Sequence, residues 1–207
     1  MGKIVVIASG NAHKVEEFNR LARAANLRDT SFVAAREMVA GGMPEVEENA
    51  DSFVGNARLK AAALRKVAPR EAWVLADDSG LCVDALGGAP GVKTARYAGE
   101  NSTAAENRAK LLAALAGVPA TKRGARFVCA LLLISPDNNE QSFSATCEGE
   151  IADHESDAGF GFGYDPIFVP RGFSKTFAEL PGEIKDALSH RGNAFAKLAK
   201  FLATTGN

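Results

Sequence analysis

Apolar and polar positions change period several times along the chain. Ile4-Val5-Val6-Ile7-Ala8 is an unbroken, largely β-branched run of strand length, and the charged stretch from Lys14 to Ala25 after the Ser9-Gly10-Asn11 turn is amphipathic at helical spacing. Ser31 to Ala34 predicts a second short strand, and the glycine- and acid-rich segment from Gly41 to Asn49 predicts a loop. A helix is predicted from about Ser52 to Val67. The strand Trp73-Val74-Leu75-Ala76 is then expected to end at Asp77-Asp78-Ser79-Gly80. Leu86 to Gly91 reads as loop, and Thr103 with Glu106 has capping-box spacing at the start of a helix that closes near Gly117.

The second half adds strands at Phe127 to Ile134 and Ser142 to Glu148, flanking a Pro136-Asp137-Asn138-Asn139 hairpin. A loop from Gly159 to Asp165, a short strand at Ile167-Phe168-Val169 and a helix from about Asn193 to Ala203 complete the pattern. Strand, glycine turn and helix in succession open an α/β fold, and the antiparallel excursion makes its central sheet mixed.

Composition narrows the function classes. With 207 residues, 46% hydrophobic and 24% charged, the chain can bury a globular core, and it is expected to form one domain over 1–207. A net charge of −1 argues against broad capture of a nucleic acid polymer or an acidic membrane, while leaving room for a local basic site. Cys82, Cys129 and Cys147 are scattered, with no CxxC pair. They read as reduced thiols, and neither they nor His13, His154 and His190 have zinc-site spacing. The N-terminal apolar run is too short for a signal-peptide core or a membrane span, so a cytoplasmic location is expected.

Several segments carry candidate chemistry. Ser9-Gly10-Asn11-Ala12-His13-Lys14 passes from strand to helix N-terminus, where free backbone N–H groups and the helix dipole favour an anion; the GxxxxGKS/T spacing of a Walker loop is absent. An ordinary β-α turn with a solvated lysine accounts for it equally well. Lys60 falls on the apolar stripe of its helix with Phe53, Ala57, Leu64 and Val67, so it must snorkel, pair with a carboxylate or meet a bound anion.

Asp77 and Asp78 alternate faces of a strand, so one of them is expected in any one site, either as an Mg²⁺ ligand, as a group that orients water, or as a turn cap. Glu45, Glu47 and Glu48 lie on the loop before the Lys60 helix. Mg²⁺ needs only one or two protein carboxylates, so one of the three would suffice beside Asp78. Phe160, Phe162 and Tyr164 alternate with glycines ahead of Asp165, an arrangement that can clamp a planar base or simply fill a core. Lys185 and Ser189-His190-Arg191-Gly192 add hydrogen-bond donors just before the last helix.

Together these blocks resemble the inosine/xanthosine triphosphate pyrophosphatases. The likeness is carried by Ser9-Gly10-Asn11 with Lys14 and Glu17, VLADDSGLCVDALGGAPGVKTARYAG from Val74 to Gly99, FGYDPIF from Phe162 to Phe168, and SHRG from Ser189 to Gly192. It spans nearly the whole chain in the same order. The resemblance implies a two-lobed α/β fold with an elongated mixed central sheet flanked by helices, a nucleotide in the cleft between lobes, Mg²⁺ as cofactor and a homodimer. It implies hydrolysis of non-canonical purine nucleoside triphosphates (ITP, dITP, XTP) to monophosphate and pyrophosphate.

By that resemblance Ser9, Gly10, Asn11, Ala12, His13, Lys14 and Lys60 hold the triphosphate. Asp78 is the proton acceptor and a metal ligand, with Ser79 beside it. Glu47 is the best match for the loop metal ligand, with Glu45 and Glu48 as alternatives. Phe162, Gly163, Tyr164 and Asp165 bind the base, and Lys185, His190 and Arg191 make the remaining substrate contacts. Two positions depart from the family's pattern: Gly55 stands where an acid is usual, and Phe160-Gly161 where Gly-Gly is usual.

Overall fold

The N-terminal run forms β1 (Lys3–Ile7), whose Val5, Val6 and Ile7 have no solvent exposure, which is why the run does not alternate in polarity. This computed structural model describes residues 2–158 and 161–205. From β1 the chain enters α1 (Ala12–Ala24) and returns as β2 (Thr30–Ala34), parallel to β1 with Ile7 opposite Ala34. On the other side of β1 lies β3 (Trp73–Val83), also parallel, with Ile7 opposite Leu75. β4 (Gly124–Ile134) and β5 (Glu140–Ile151) are sheet neighbours joined by a short turn in which Asn138 takes φ 62°. A connection that short joins only antiparallel strands. β6 (Phe168–Pro170) pairs antiparallel with β5, and the order β2-β1-β3-β4-β5-β6 makes a mixed sheet.

The chain divides into two compact units, one comprising residues up to Asp78, Cys129–Ala145 and the chain from Gly192, the other Ser79–Val128 and Thr146–Arg191. The first unit has an apolar layer on each face of its strands. On one face Val5, Ile7 and Leu75 meet Phe18 of α1 and Phe195 and Leu198 of α6 (His190–Thr204). On the other, Val6, Ala8, Val74 and Ala76 meet Ala57, Ala61 and Leu64 of α3 (Phe53–Arg65), with Ala35 of the single-turn α2 (Ala35–Met38) at the margin.

The second unit is built around Leu81, Val83, Leu111, Leu115, Phe127 and Phe168, with the Phe127 and Phe168 rings edge to face at 4.7 Å. Its α4 (Ala104–Ala114) opens as expected: Thr103 Oγ1 accepts the Glu106 N–H, and the Glu106 carboxylate accepts the Thr103 N–H.

Three expectations need correction, and one further helix was not expected. β3 does not end at Asp77 but runs on to Val83, because Leu81 and Val83 have core to enter and extend the strand through the Asp-Asp-Ser-Gly motif. The helix after the acidic loop stops at Arg65 and leaves Val67 half exposed, so Val67 is not on the buried stripe. α6 begins at His190, which places His190 and Arg191 inside its first turn and not ahead of it. Lys185 lies on a further short helix, α5 (Gly182–Leu188), whose residues lack a sustained apolar stripe. All three cysteines are free thiols. Among the described residues no helix is long and apolar enough to cross a membrane.

Candidate active site

In the first unit the turn after β1 is shaped by Ser9, whose amide donates to the Ile7 carbonyl at 2.9 Å and whose hydroxyl accepts the Asn11 amide at 3.1 Å. Gly10 is exposed, and a Cβ there would meet nothing within 4 Å, so the turn stays open to a ligand. The side chains of Ala12 and His13 lie outside the described residues, as do Gly159 and Phe160. Lys14, in the first turn of α1, sends its ammonium to Asp77, 3.1 Å from Oδ2. The Cys129 thiol donates to the other oxygen of the same carboxylate at 3.6 Å.

Strand parity explains which aspartate meets which lysine. Asp77 continues the face of Leu75, which packs on α1, while Asp78 continues the face of Val74 and Ala76, which packs on α3. Lys60 of α3 is 9% exposed and donates to Asp78 Oδ1 at 2.7 Å, so of the three roles open to an inward lysine it takes the carboxylate pair.

Lys60 also reaches Glu48 Oε2 at 3.2 Å. The acidic loop is fixed over α3 by Asn56, which is fully buried and accepts the Ala50 amide at 3.0 Å. Glu48 is thus the loop glutamate that shares Lys60 with Asp78, while Glu47 and Glu45 are both exposed. At Gly55 a Cβ would stand 2.7 Å from the Ala50 Cβ, so adding the acid usual at that position would push the loop away from α3.

The electrostatics follow from this crowding. Burial lifts the Asp78 carboxyl to about 6 against the pull of Lys60, and the neighbouring Glu48 carboxylate adds to the lift. For Lys60 burial works downward, but attraction to Asp78 and Glu48 outweighs it, and the ammonium is held above its ordinary value. Two carboxylates sharing one ammonium suit a hard cation such as Mg²⁺, which takes one or two protein carboxylates and completes its shell with water and phosphate oxygens. Among the described residues no group of three or more His, Cys, Asp and Glu side chains forms a fuller metal cage.

The second unit gathers the aromatic turn. Asp165 is 4% exposed, and its Oδ2 accepts the Phe162 amide at 2.8 Å and the Lys185 ammonium at 2.5 Å. The same ammonium stands 4.7 Å from the centroid of the Phe162 ring, which is 58% exposed. Gly161, at φ 86°, touches Asp165 so closely that a Cβ would lie 2.7 Å from Oδ2. Tyr164 is buried: its hydroxyl donates to the Thr94 carbonyl at 3.0 Å and burial pushes its pKa up.

His190 stacks flat on Phe127 at 4.8 Å, and Arg191 is 3% exposed. Ser79 opens the second unit's share of β3, next to Asp78 in sequence. The expected residues therefore fall into two clusters, Lys14/Asp77 with Lys60/Asp78/Glu48 in the first unit and Phe162/Asp165/Lys185 in the second. Arg108, which donates to the Gly163 carbonyl at 2.7 Å, was not expected; its side chain is largely buried, and an arginine beside the apolar positions of a helix carries no sequence signal of that role.

Comparison with known proteins adds context. Residues 5–201 match the model of the Ham1 family. A dITP/XTP pyrophosphatase of Opitutus terrae is 52% identical over 199 residues, covering 94% of this chain and 96% of its own. One from Methylacidiphilum infernorum is 45% identical, covering 95% and 93%. The solved structure of the Staphylococcus aureus Ham1 protein is similar with a TM-score of 0.84 at 40% identity, covering 98% of this chain and all of that one.

Proposed function

The chain belongs to the Ham1 family, and from that premise we propose that it is an Mg²⁺-dependent pyrophosphatase acting on non-canonical purine nucleoside triphosphates, releasing monophosphate and pyrophosphate. The observation that carries the reading is the Asp78–Lys60–Glu48 cluster, in which a buried carboxyl of raised pKa stands against a charged lysine and a second acid. A buried acid perturbed by desolvation and by specific charged partners is a recognised signature of a functional site.

In this reading each cluster has its own role. Ser9 to Lys14 and Lys60 hold the triphosphate, the turn through its backbone N–H groups and the lysines through charge. Asp78 and Glu48 would hold the metal, which would supply neutralisation of the phosphate oxygens. A water attacks the α-phosphorus in line with the pyrophosphate leaving group, and Asp78 in its carboxylate form orients that water and accepts its proton. A cation held there would favour that carboxylate form, which burial disfavours.

The base is read in the second unit. Phe162 offers an exposed ring for stacking, and Lys185 beside it is a donor with no acceptor capacity. A 6-carbonyl, as in hypoxanthine or xanthine, satisfies such a donor, whereas the 6-amino group of adenine opposes it. A mismatch of this kind discriminates by roughly 10⁴. His190 and Arg191, in the first turn of α6, make the remaining substrate contacts in this reading. A homodimer and a cytoplasmic location belong to the same proposal. The test is a panel of nucleoside triphosphates with pyrophosphate detection: ITP and XTP are turned over, ATP is not, and a chelator abolishes the activity. Chelator-resistant turnover, or equal use of ATP, would count against it.

A further inference from the structure

The Phe162 ring is exposed, yet the turn beneath it is held from several sides. Tyr164 is anchored to the Thr94 carbonyl, and Asp165 binds the Phe162 amide. Between them Gly163 takes φ 61°, a left-handed conformation open to glycine, and its carbonyl has a charged partner. That partner is Arg108 of α4. Its Nη1 donates to the Gly163 carbonyl at 2.7 Å, and its Nη2 pairs with Glu155 Oε1 at 2.5 Å, with the side chain 13% exposed.

The base of α4 is itself tied down by the neighbouring residue. Asn107 accepts the Ala98 amide at 2.7 Å and donates to the Ala95 carbonyl at 3.0 Å. Residues 94–98 therefore brace both the helix that carries Arg108 and, through Thr94, the Tyr164 side of the turn. A charged guanidinium aimed at a carbonyl by a second carboxylate is a stronger and more directional hold than a neutral hydrogen bond.

We infer that Arg108 is a positioning residue for base recognition: by holding the Gly163 carbonyl it fixes the direction of the Phe162 ring, so that a planar purine meets a preformed stacking surface. Glu155 serves the same end by orienting the guanidinium. The inference rests on the proposed role of Phe162 as the base platform. Rigid placement before binding lowers the ordering cost that the substrate would otherwise meet.

The test is steady-state kinetics on inosine triphosphate for Arg108→Met, Arg108→Lys, Glu155→Gln and Phe162→Ala, with inhibition by inorganic pyrophosphate as a probe that carries no base. Arg108→Met is expected to raise KM about tenfold, as loss of one hydrogen bond from a charged donor implies, with kcat within about twofold and pyrophosphate inhibition unchanged. Arg108→Lys recovers part of the loss, and Glu155→Gln, at an exposed acid, gives a smaller rise in the same direction. An unchanged KM with a lowered melting temperature makes Arg108 purely structural and overturns the inference. So does a joint shift of KM and pyrophosphate inhibition. If Phe162→Ala raises KM and Arg108→Met does not, this inference alone falls; if Phe162→Ala leaves KM unchanged, the platform reading falls with it.

Discussion

Lys60 Nζ lies 2.7 Å from Asp78 Oδ1 and 3.2 Å from Glu48 Oε2, so a single ammonium stands between a strand carboxylate and a loop carboxylate. Either acid alone beside it would be a stabilised ion pair. With both present, one carries excess negative charge, which the divalent cation of the proposed function would relieve.

Replacing Asp78 by Asn should leave nucleotide binding largely intact and lower turnover by at least about a hundredfold, the usual cost of an acid–base or metal-holding group. Equilibrium binding measured beside kcat checks it. Near-normal turnover removes Asp78 from the mechanism.

The raised pKa of Asp78 predicts how stability depends on pH. A carboxyl lifted from 3.8 to about 6 is favoured by the fold in its protonated form. Its contribution is fully present below the unfolded value and is lost as pH rises through about 6. Metal-free protein should therefore lose melting temperature across that window, and added Mg²⁺ should restore it at the upper end. A melting temperature unaffected by Mg²⁺ near neutral pH contradicts the metal site.

Lys60→Met removes the group that holds Asp78 down, so the Asp78 pKa should rise above its wild-type value. The variant's stability deficit should be small on the acid side and grow as pH rises, because a buried carboxylate is then left without its cation. Triphosphate binding should weaken at the same time. Thermal melts at several pH values, with a binding titration, separate this from a uniform packing loss.

Glu48 and Glu47 are adjacent but unequally placed. Glu48→Gln should raise the Mg²⁺ concentration needed for half-maximal activity about tenfold or more, a typical cost for altering a metal site, while Glu47→Gln should leave the activation curve in place. The reverse ranking returns the role to Glu47.

Gly161→Ala places a methyl group against the Asp165 carboxylate from a backbone held at φ 86°. Strain of about 1–3 kcal/mol is expected, and Asp165 must give up its grip on Lys185 or Phe162. A raised KM for inosine triphosphate together with a lowered melting temperature is the expected result.

Much of this arrangement is legible in the sequence because it follows from period. The unbroken β-branched run of β1, the capping box at Thr103 and the inward position of Lys60 each need only local spacing. What is not legible depends on partners far away in the chain. Asp-Asp-Ser-Gly looks like a strand end until Leu81 and Val83 find core beyond it. Glu45, Glu47 and Glu48 lie on a loop without periodicity, and the turn of Glu48 toward α3 goes with distant contacts such as the Asn56–Ala50 hydrogen bond and the Lys60 pair. His190 and Arg191 are polar residues at the start of a helix, and their burial is set by contacts such as the Phe127 ring that no local pattern announces.

Hydrolysis of inosine triphosphate in heavy-oxygen water tests the central claim most directly, because the label records which phosphorus the water attacks. Attack at the α-phosphorus puts the heavy oxygen in the monophosphate and leaves the pyrophosphate unlabelled. Label in the pyrophosphate, or release of diphosphate and phosphate, would contradict the account.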